Sequence, residues 1–166
     1  MKTLFFTSAL LTLILAITGC GGVGDSETEA PVEPASEPSG AKVVKITGND
    51  QMRYDITEIK AKAGEAVRVE LTNIGKMPAA AMSHNWVLLN RSVTEEEFTA
   101  FALASSQNAP SYIAPDSDLV LAKTKTLGPG ESDSVEFEAP AEPGVYEFLC
   151  TFPGHFALMR GKLIVE

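Results

Sequence analysis

The chain has 166 residues, 45% of them hydrophobic and 7% aromatic, with a formal net charge of -9 at pH 7. That length supports one domain with a core of its own, not several. There is no basic stripe, so no nucleic-acid partner is expected.

Residues 1–19 read as an export signal: Lys2, an apolar run from Leu4 to Ile17, then Thr18-Gly19-Cys20. The run is too short and wrongly flanked for a spanning helix. Residues 21–40 carry five acids, no base and only two large aliphatic side chains, Val23 and Val32. Such a segment cannot bury a core and is expected to be a disordered tether behind Cys20. As a coil it would reach roughly 25 Å, or about 60 Å if drawn out. The folded body is expected at 41–166.

From Ala41 the pattern is that of strands. Stretches 42–47, 55–60, 66–72, 84–90, 119–124, 132–138, 145–150 and 161–165 are rich in β-formers. Several alternate, as in Val67-Arg68-Val69-Glu70-Leu71. Turn chemistry separates them, for example Gly48-Asn49-Asp50, Gly128-Pro129-Gly130 and Pro143-Gly144. About eight short strands imply an all-β fold, an antiparallel sandwich. One segment departs from this. Thr94-Glu95-Glu96-Glu97 fits a capping box, and Phe98, Phe101 and Ala102 follow at helical spacing. A short helix over 95–104 is therefore predicted inside a long connection.

Near the C-terminus stands Cys150-Thr151-Phe152-Pro153-Gly154-His155-Phe156-Ala157-Leu158-Met159, of the form C-x4-H-x3-M. It places a thiolate, an imidazole and a thioether on one loop. A thiolate and two imidazoles with a weak axial thioether make an electron-transfer copper site. The chain has one other histidine, His84, in Met82-Ser83-His84-Asn85-Trp86. By the period of two, His84, Trp86 and Leu88 face inward on one strand, and Tyr146, Phe148 and Cys150 on another. If those strands are antiparallel, His84 and Cys150 meet at one end of the sandwich. Zinc competes on ligand type, but three strong donors plus a thioether favour copper, one ion per chain. Pro153 has no N–H, so Phe152 is the loop's backbone donor to the Cys150 sulfur. The Asn85 backbone N–H is expected as the other donor, and its side chain could tie the two ligand segments together.

Cys-Thr-Phe-Pro-Gly-His-x-Ala-Leu-Met-x-Gly and Met-x-His-Asn-Trp-Val-Leu resemble azurins, of the cupredoxin family. Thr47-Gly48-Asn49-Asp50-Gln51-Met52 resembles the first turn of that family. The resemblance implies a Greek-key cupredoxin barrel with His84, Cys150 and His155 as equatorial copper ligands. Met159 would be the long axial ligand and the Ser83 backbone carbonyl a weak one opposite it. Azurins typically have glycine where Ser83 sits. They also have a disulfide near their start; here Val43 replaces one partner and the Gly64-Glu65 region lacks the other. The resemblance also implies an apolar collar of Met52, Met77, Ala81, Met82, Phe152 and Pro153 around an exposed edge of His155. Redox-protein donors and acceptors would dock there; the same side chains could equally serve to seal copper from water.

Ile17-Thr18-Gly19-Cys20 resembles a bacterial lipobox. This implies cleavage before Cys20, lipid on that cysteine, and a membrane-anchored domain in the periplasm or outside the cell. Gly21 is not the aspartate associated with inner-membrane retention, which favours the outer membrane. An ordinary signal cleaved near Gly19 is the alternative. The expected function is one-electron transfer by Cu(II)/Cu(I) cycling, with copper delivery or buffering as the alternative. No enzyme activity is expected, since both histidines are committed to one site.

Overall fold

The structure, a computed structural model, describes residues 40–115 and 117–166. The export signal, Cys20 and the tether as far as residue 39 lie outside the described residues.

Alternation builds the first sheet. β4 (Ala66–Asn73) buries every second residue, Val67, Val69, Leu71 and Asn73, because successive strand side chains take opposite faces. Beside it runs β1 (Lys42–Asn49), parallel, and β7 (Ser132–Glu138), antiparallel. β2 (Arg53–Tyr54) turns back on the end of β1. The order is β2-β1-β4-β7. In the second sheet β3 (Glu58–Ala61), β9 (Arg160–Val165), β8 (Gly144–Leu149), β5 (Val87–Leu89) and β6 (Val120–Lys123) lie side by side in that order. The main core fills the space between the sheets, centred on Ile46, Val69, Leu71, Trp86, Leu88, Phe148 and Leu163.

The sandwich has nine strands among the described residues. It is mixed rather than antiparallel: β1 and β4 run parallel, as do β3 and β9. Between β1 and β4 the chain crosses to the second sheet as β3, and it returns beside β1 running the same way. Three expected strands shorten, 119–124 only slightly, to Val120–Lys123. Stretch 55–60 becomes Glu58–Ala61, because the Asp55 carboxylate accepts the Thr47 N–H at 2.6 Å in the preceding bend. Stretch 84–90 keeps only Val87–Leu89, with His84 in a separate two-residue bridge to Leu127.

β5 and the end of β8 are buried on both faces. Trp86, Leu88, Phe148 and Cys150 face the main core. Val87, Leu89 and Leu149 face a second cluster with Phe98, Phe101 and Ala102 of α2 (Glu95–Ser106). The helix therefore covers the outer face of the second sheet, which explains the continuous apolar run Trp86–Leu89. Its capping box forms as predicted: the Thr94 hydroxyl accepts the Glu97 N–H, and the Glu97 carboxylate accepts the Thr94 N–H. Arg160 fastens the helix to β8 and β9. Its guanidinium lies 3.7 Å over the Phe98 ring and donates to Glu95 at 2.8 and 3.1 Å and to Glu147 at 2.7 Å. A second helix, α1 (Ala79–Met82), was not foreseen; three alanines after Pro78 are strong helix formers.

Candidate metal centre

Two strand ends bring the donors together. β5 and β8 are antiparallel, with Val87 opposite Leu149 and Leu88 opposite Phe148. His84 just before β5 and Cys150 just after β8 therefore meet at one pole. The following loop folds back over that pole and is closed at its base, where the Cys150 N–H donates to the Met159 carbonyl at 2.9 Å. Inside the loop the His155 carbonyl accepts from Leu158 at 3.0 Å and from Met159 at 2.8 Å.

His84 Nδ1 lies 3.2 Å from His155 Nδ1, and Cys150 Sγ lies 3.7 Å from that same His155 atom. All three donor atoms fall within 4.8 Å of one another, and all three residues are buried. A first-row metal bonded at about 2.0–2.3 Å to three coplanar donors sets them roughly 3.5–4.0 Å apart. The Cys150–His155 edge is thus the size a metal requires, and the imidazole–imidazole edge must open by a few tenths of an ångström. Met159 is fully buried beside the His84 ring, against Gly48.

Protonation favours the same reading. Burial, then the neighbouring His84, pushes the His155 imidazole down to about 4. Burial also lowers His84, against the Asn49 backbone and Asp50, which raise it. Both rings are neutral near pH 7 and offer lone pairs. The buried His84 Nε2 makes no hydrogen bond of ordinary geometry, although the Asn49 backbone is close enough to bias it toward protonation. A ring that keeps its proton on Nε2 is left with a bare Nδ1 facing the triangle. Burial pushes the Cys150 thiol up to about 12, against the Asn85 and Phe152 backbone N–H groups, which pull it down. Those two N–H groups are the donors expected for the sulfur. The thiol ionises only for a cation, so the donor set fits a soft divalent or monovalent metal and makes Cys150 a poor free nucleophile.

Hydrogen bonds tie the segments that carry the donors. Asn85 Nδ2 donates to Thr151 Oγ1 at 2.8 Å, and the Thr151 N–H returns to Asn85 Oδ1 at 2.8 Å. The two ligand segments are tied as expected. Thr151 Oγ1 donates onward to the Tyr112 carbonyl, and the Tyr54 hydroxyl donates to the Asn85 carbonyl. Asn73, buried at the end of β4, donates to the Met82 and Leu127 carbonyls at 3.1 Å each, which holds the His84 segment in place. Gly48, Tyr54, Asn73, Tyr112 and Thr151 were not foreseen as site residues. They come from distant parts of the chain; Gly48 and Thr151 lie within the stretches that resemble azurins, while Tyr54, Asn73 and Tyr112 carry no motif.

Around the pole, Met77 (41% exposed), Ala81 and Pro153 face solvent, and Met52 is half-buried. Met82 and Phe152 are buried and cannot be contact surface. His155 is 2% exposed, so its edge is almost covered, contrary to expectation. Phe152 packs on it with ring centroids 4.8 Å apart, and Tyr112 packs on Phe152 at 4.9 Å. Ile74 and Leu158 extend the exposed apolar rim. Ser83 has an extended backbone (φ -84°, ψ 155°), so a side chain is tolerated where glycine is usual, and its hydroxyl donates to the Ala79 carbonyl at 2.7 Å.

A two-sheet β-sandwich bringing one cysteine sulfur and two neutral imidazoles together at a buried pole defines a mononuclear blue-copper protein. Residues 41–166 match the copper-binding plastocyanin/azurin family. The azurin of Pseudomonas aeruginosa is 40% identical over 126 residues, 74% of this chain and 84% of that protein. Auracyanin-A of Chloroflexus aurantiacus is 30% identical over 159 residues, 96% of this chain and 94% of that one. The solved structure of auracyanin A, a "blue" copper protein, aligns with a TM-score of 0.68 at 31% identity, covering 76% of this chain and 100% of that chain. An azurin from Methylomonas sp. strain J aligns at 0.66 and 30% identity, covering 75% and 98%. The chain belongs to the plastocyanin/azurin family, and it is a blue-copper electron-transfer protein with one copper site.

Proposed function

We propose that the protein is an exported, lipid-anchored shuttle that exchanges single electrons with redox proteins at the pole carrying His155. His84, Cys150 and His155 would hold the copper, with the Met159 thioether and the Ser83 carbonyl as the weaker donors beside them. Copper bound there supplies a one-electron Cu(II)/Cu(I) couple. The protein's part is to keep the donors in one arrangement in both states. The observation that supports this is the buried triangle itself, close to bonding size while surrounded by hydrogen-bonded supports. The Asn85 and Phe152 N–H groups carry part of the thiolate's charge. Phe152 and Met82 exclude water, and Met77, Ala81 and Pro153, with Ile74 and Leu158, present a rim suited to brief apolar contact.

Export and anchoring rest on the leader and on Ile17-Thr18-Gly19-Cys20, with lipid on Cys20 holding the domain to a bacterial membrane, the outer one preferred. The expected tether, residues 21–40, would supply the reach. No substrate bond is made or broken, so the protein is not an enzyme.

The purified protein given Cu(II) should develop an intense thiolate-to-copper band, lost in Cys150→Ser and only shifted in Met159→Leu. A colourless wild-type protein refutes the site. Fast release of copper to a metal-free acceptor would favour delivery over electron transfer. Mass spectrometry of the protein from its membrane should find acylated Cys20 at the N-terminus; a non-acylated mature chain refutes the anchor.

A further inference from the structure

One wall of the centre is backbone, supplied by the end of β1. Gly48 is held from both sides. It pairs with Asn73 of β4 and Tyr54 of β2, and its carbonyl accepts the Ile74 N–H at 2.9 Å. Its φ is outside the left-handed region, so glycine is not required there for its dihedral freedom. It is required for space. A Cβ at residue 48 would stand 2.7 Å from Met159 Cε, 2.9 Å from His84 Cδ2 and 3.2 Å from His84 Cγ. Contacts that short force a displacement.

The two neighbours differ in how readily they yield. His84 is pinned by its bridge to Leu127, with hydrogen bonds of 3.0 and 2.7 Å. Its ring is also packed against His155, with centroids 5.1 Å apart. Met159 Cε is the free end of a flexible side chain. A methyl group at residue 48 displaces the thioether most readily, while its 2.9 Å contact with His84 Cδ2 also requires the ring or the end of β1 to give slightly.

We propose that Gly48 is the positioning residue for the axial thioether: the space left at its Cα is what allows Met159 to seat beside His84. This rests on Met159 being the axial ligand. The axial donor tunes the potential of such a site, so Gly48 influences electron transfer without touching the metal.

The test uses the full chain and compares Gly48→Ala, Met159→Leu, Met159→Ala and the double variant Gly48→Ala/Met159→Ala. Gly144→Ala is the control, because a Cβ there meets only Tyr146 Cε2 at 3.6 Å. Gly48→Ala should shift the reduction potential in the same direction as Met159→Leu and redistribute the visible bands. The metal-free protein should retain its circular dichroism and lose only a little thermal stability. In the Met159→Ala background the shift caused by Gly48→Ala should shrink, and so should its stability cost without metal, the remainder coming from the His84 contact. The control should do neither.

A wild-type potential and spectrum in Gly48→Ala overturns the inference, as does an equal shift in both backgrounds. If Gly48→Ala alone fails to fold, addition of Met159→Ala must restore folding; no rescue overturns it too. A Met159→Leu protein with the parent potential would instead sink the axial assignment, and this inference with it.

Discussion

The link between Asn85 and Thr151 joins the two segments that carry the ligands, and its loss can be followed quantitatively. Asn85→Ala removes the 2.8 Å bond to Thr151 Oγ1 and the 2.8 Å acceptor of the Thr151 N–H. Thr151 is fully buried, so that N–H is stranded. A stranded buried donor costs about 1–3 kcal/mol and the second lost bond about 0.5–1.5 kcal/mol, which together give roughly 2–4 kcal/mol. Thr151→Val removes the Asn85 bond and the one to the Tyr112 carbonyl. The two substitutions share only the Asn85 Nδ2–Thr151 Oγ1 bond, so their coupling should be about 0.5–1.5 kcal/mol. Denaturant unfolding of the metal-free protein for wild type, both single variants and the double variant measures it, provided the transition is two-state. Copper should also dissociate faster from Asn85→Ala, because the ligand loop is no longer tied to the His84 segment. Costs that simply add, or a single variant as stable as wild type, would refute the role assigned to this pair.

Phe98→Ala should cost about 3–5 kcal/mol, since the ring is fully buried at the centre of the second cluster and lies beneath Arg160; thermal unfolding measures it, and the copper band of the folded variant should persist. The Glu97 carboxyl is held down at about 2, first by Arg91 and then by the Thr94 backbone and hydroxyl. A depressed carboxyl stabilises the fold above its unfolded value of about 4.3, and that contribution is lost as pH falls toward 2. Glu97→Gln should therefore flatten part of the fall in melting temperature between those values, and an unchanged acid profile would count against the pairing. Cys150, pushed up to about 12, is protonated at neutral pH in the metal-free protein, so copper uptake should release its proton, measurable with a pH indicator. Its raised value stabilises the metal-free fold fully below the unfolded thiol's value of about 8.5, and this contribution is lost as pH rises toward 12.

Where chemistry is local, the chain could be read directly. Cys150, His155 and Met159 lie within ten residues, and His84 was the only histidine left to complete the set. The Thr94–Glu97 capping box needs four consecutive residues, and it formed. Alternation placed Trp86, Leu88, Phe148 and Cys150 on one face. It could not show that Val87, Leu89 and Leu149 would be buried as well, because α2 is what covers them. Nor could it show parallel pairing, since register between β1 and β4 depends on where the intervening strand goes.

The amino-acid order by itself determined the kind of donors and the strands that present them, because both follow from neighbours a few residues apart. Tertiary structure decided how far apart those donors stand, which rim residues meet water, and why residue 48 is glycine. Each of these depends on segments tens of residues apart closing on one point. Met82, Phe152 and the edge of His155 are covered, while Ile74 and Leu158 are not. That difference arises only when the β1 end, the α1 turn and the ligand loop pack against one another, and no short-range pattern encodes it.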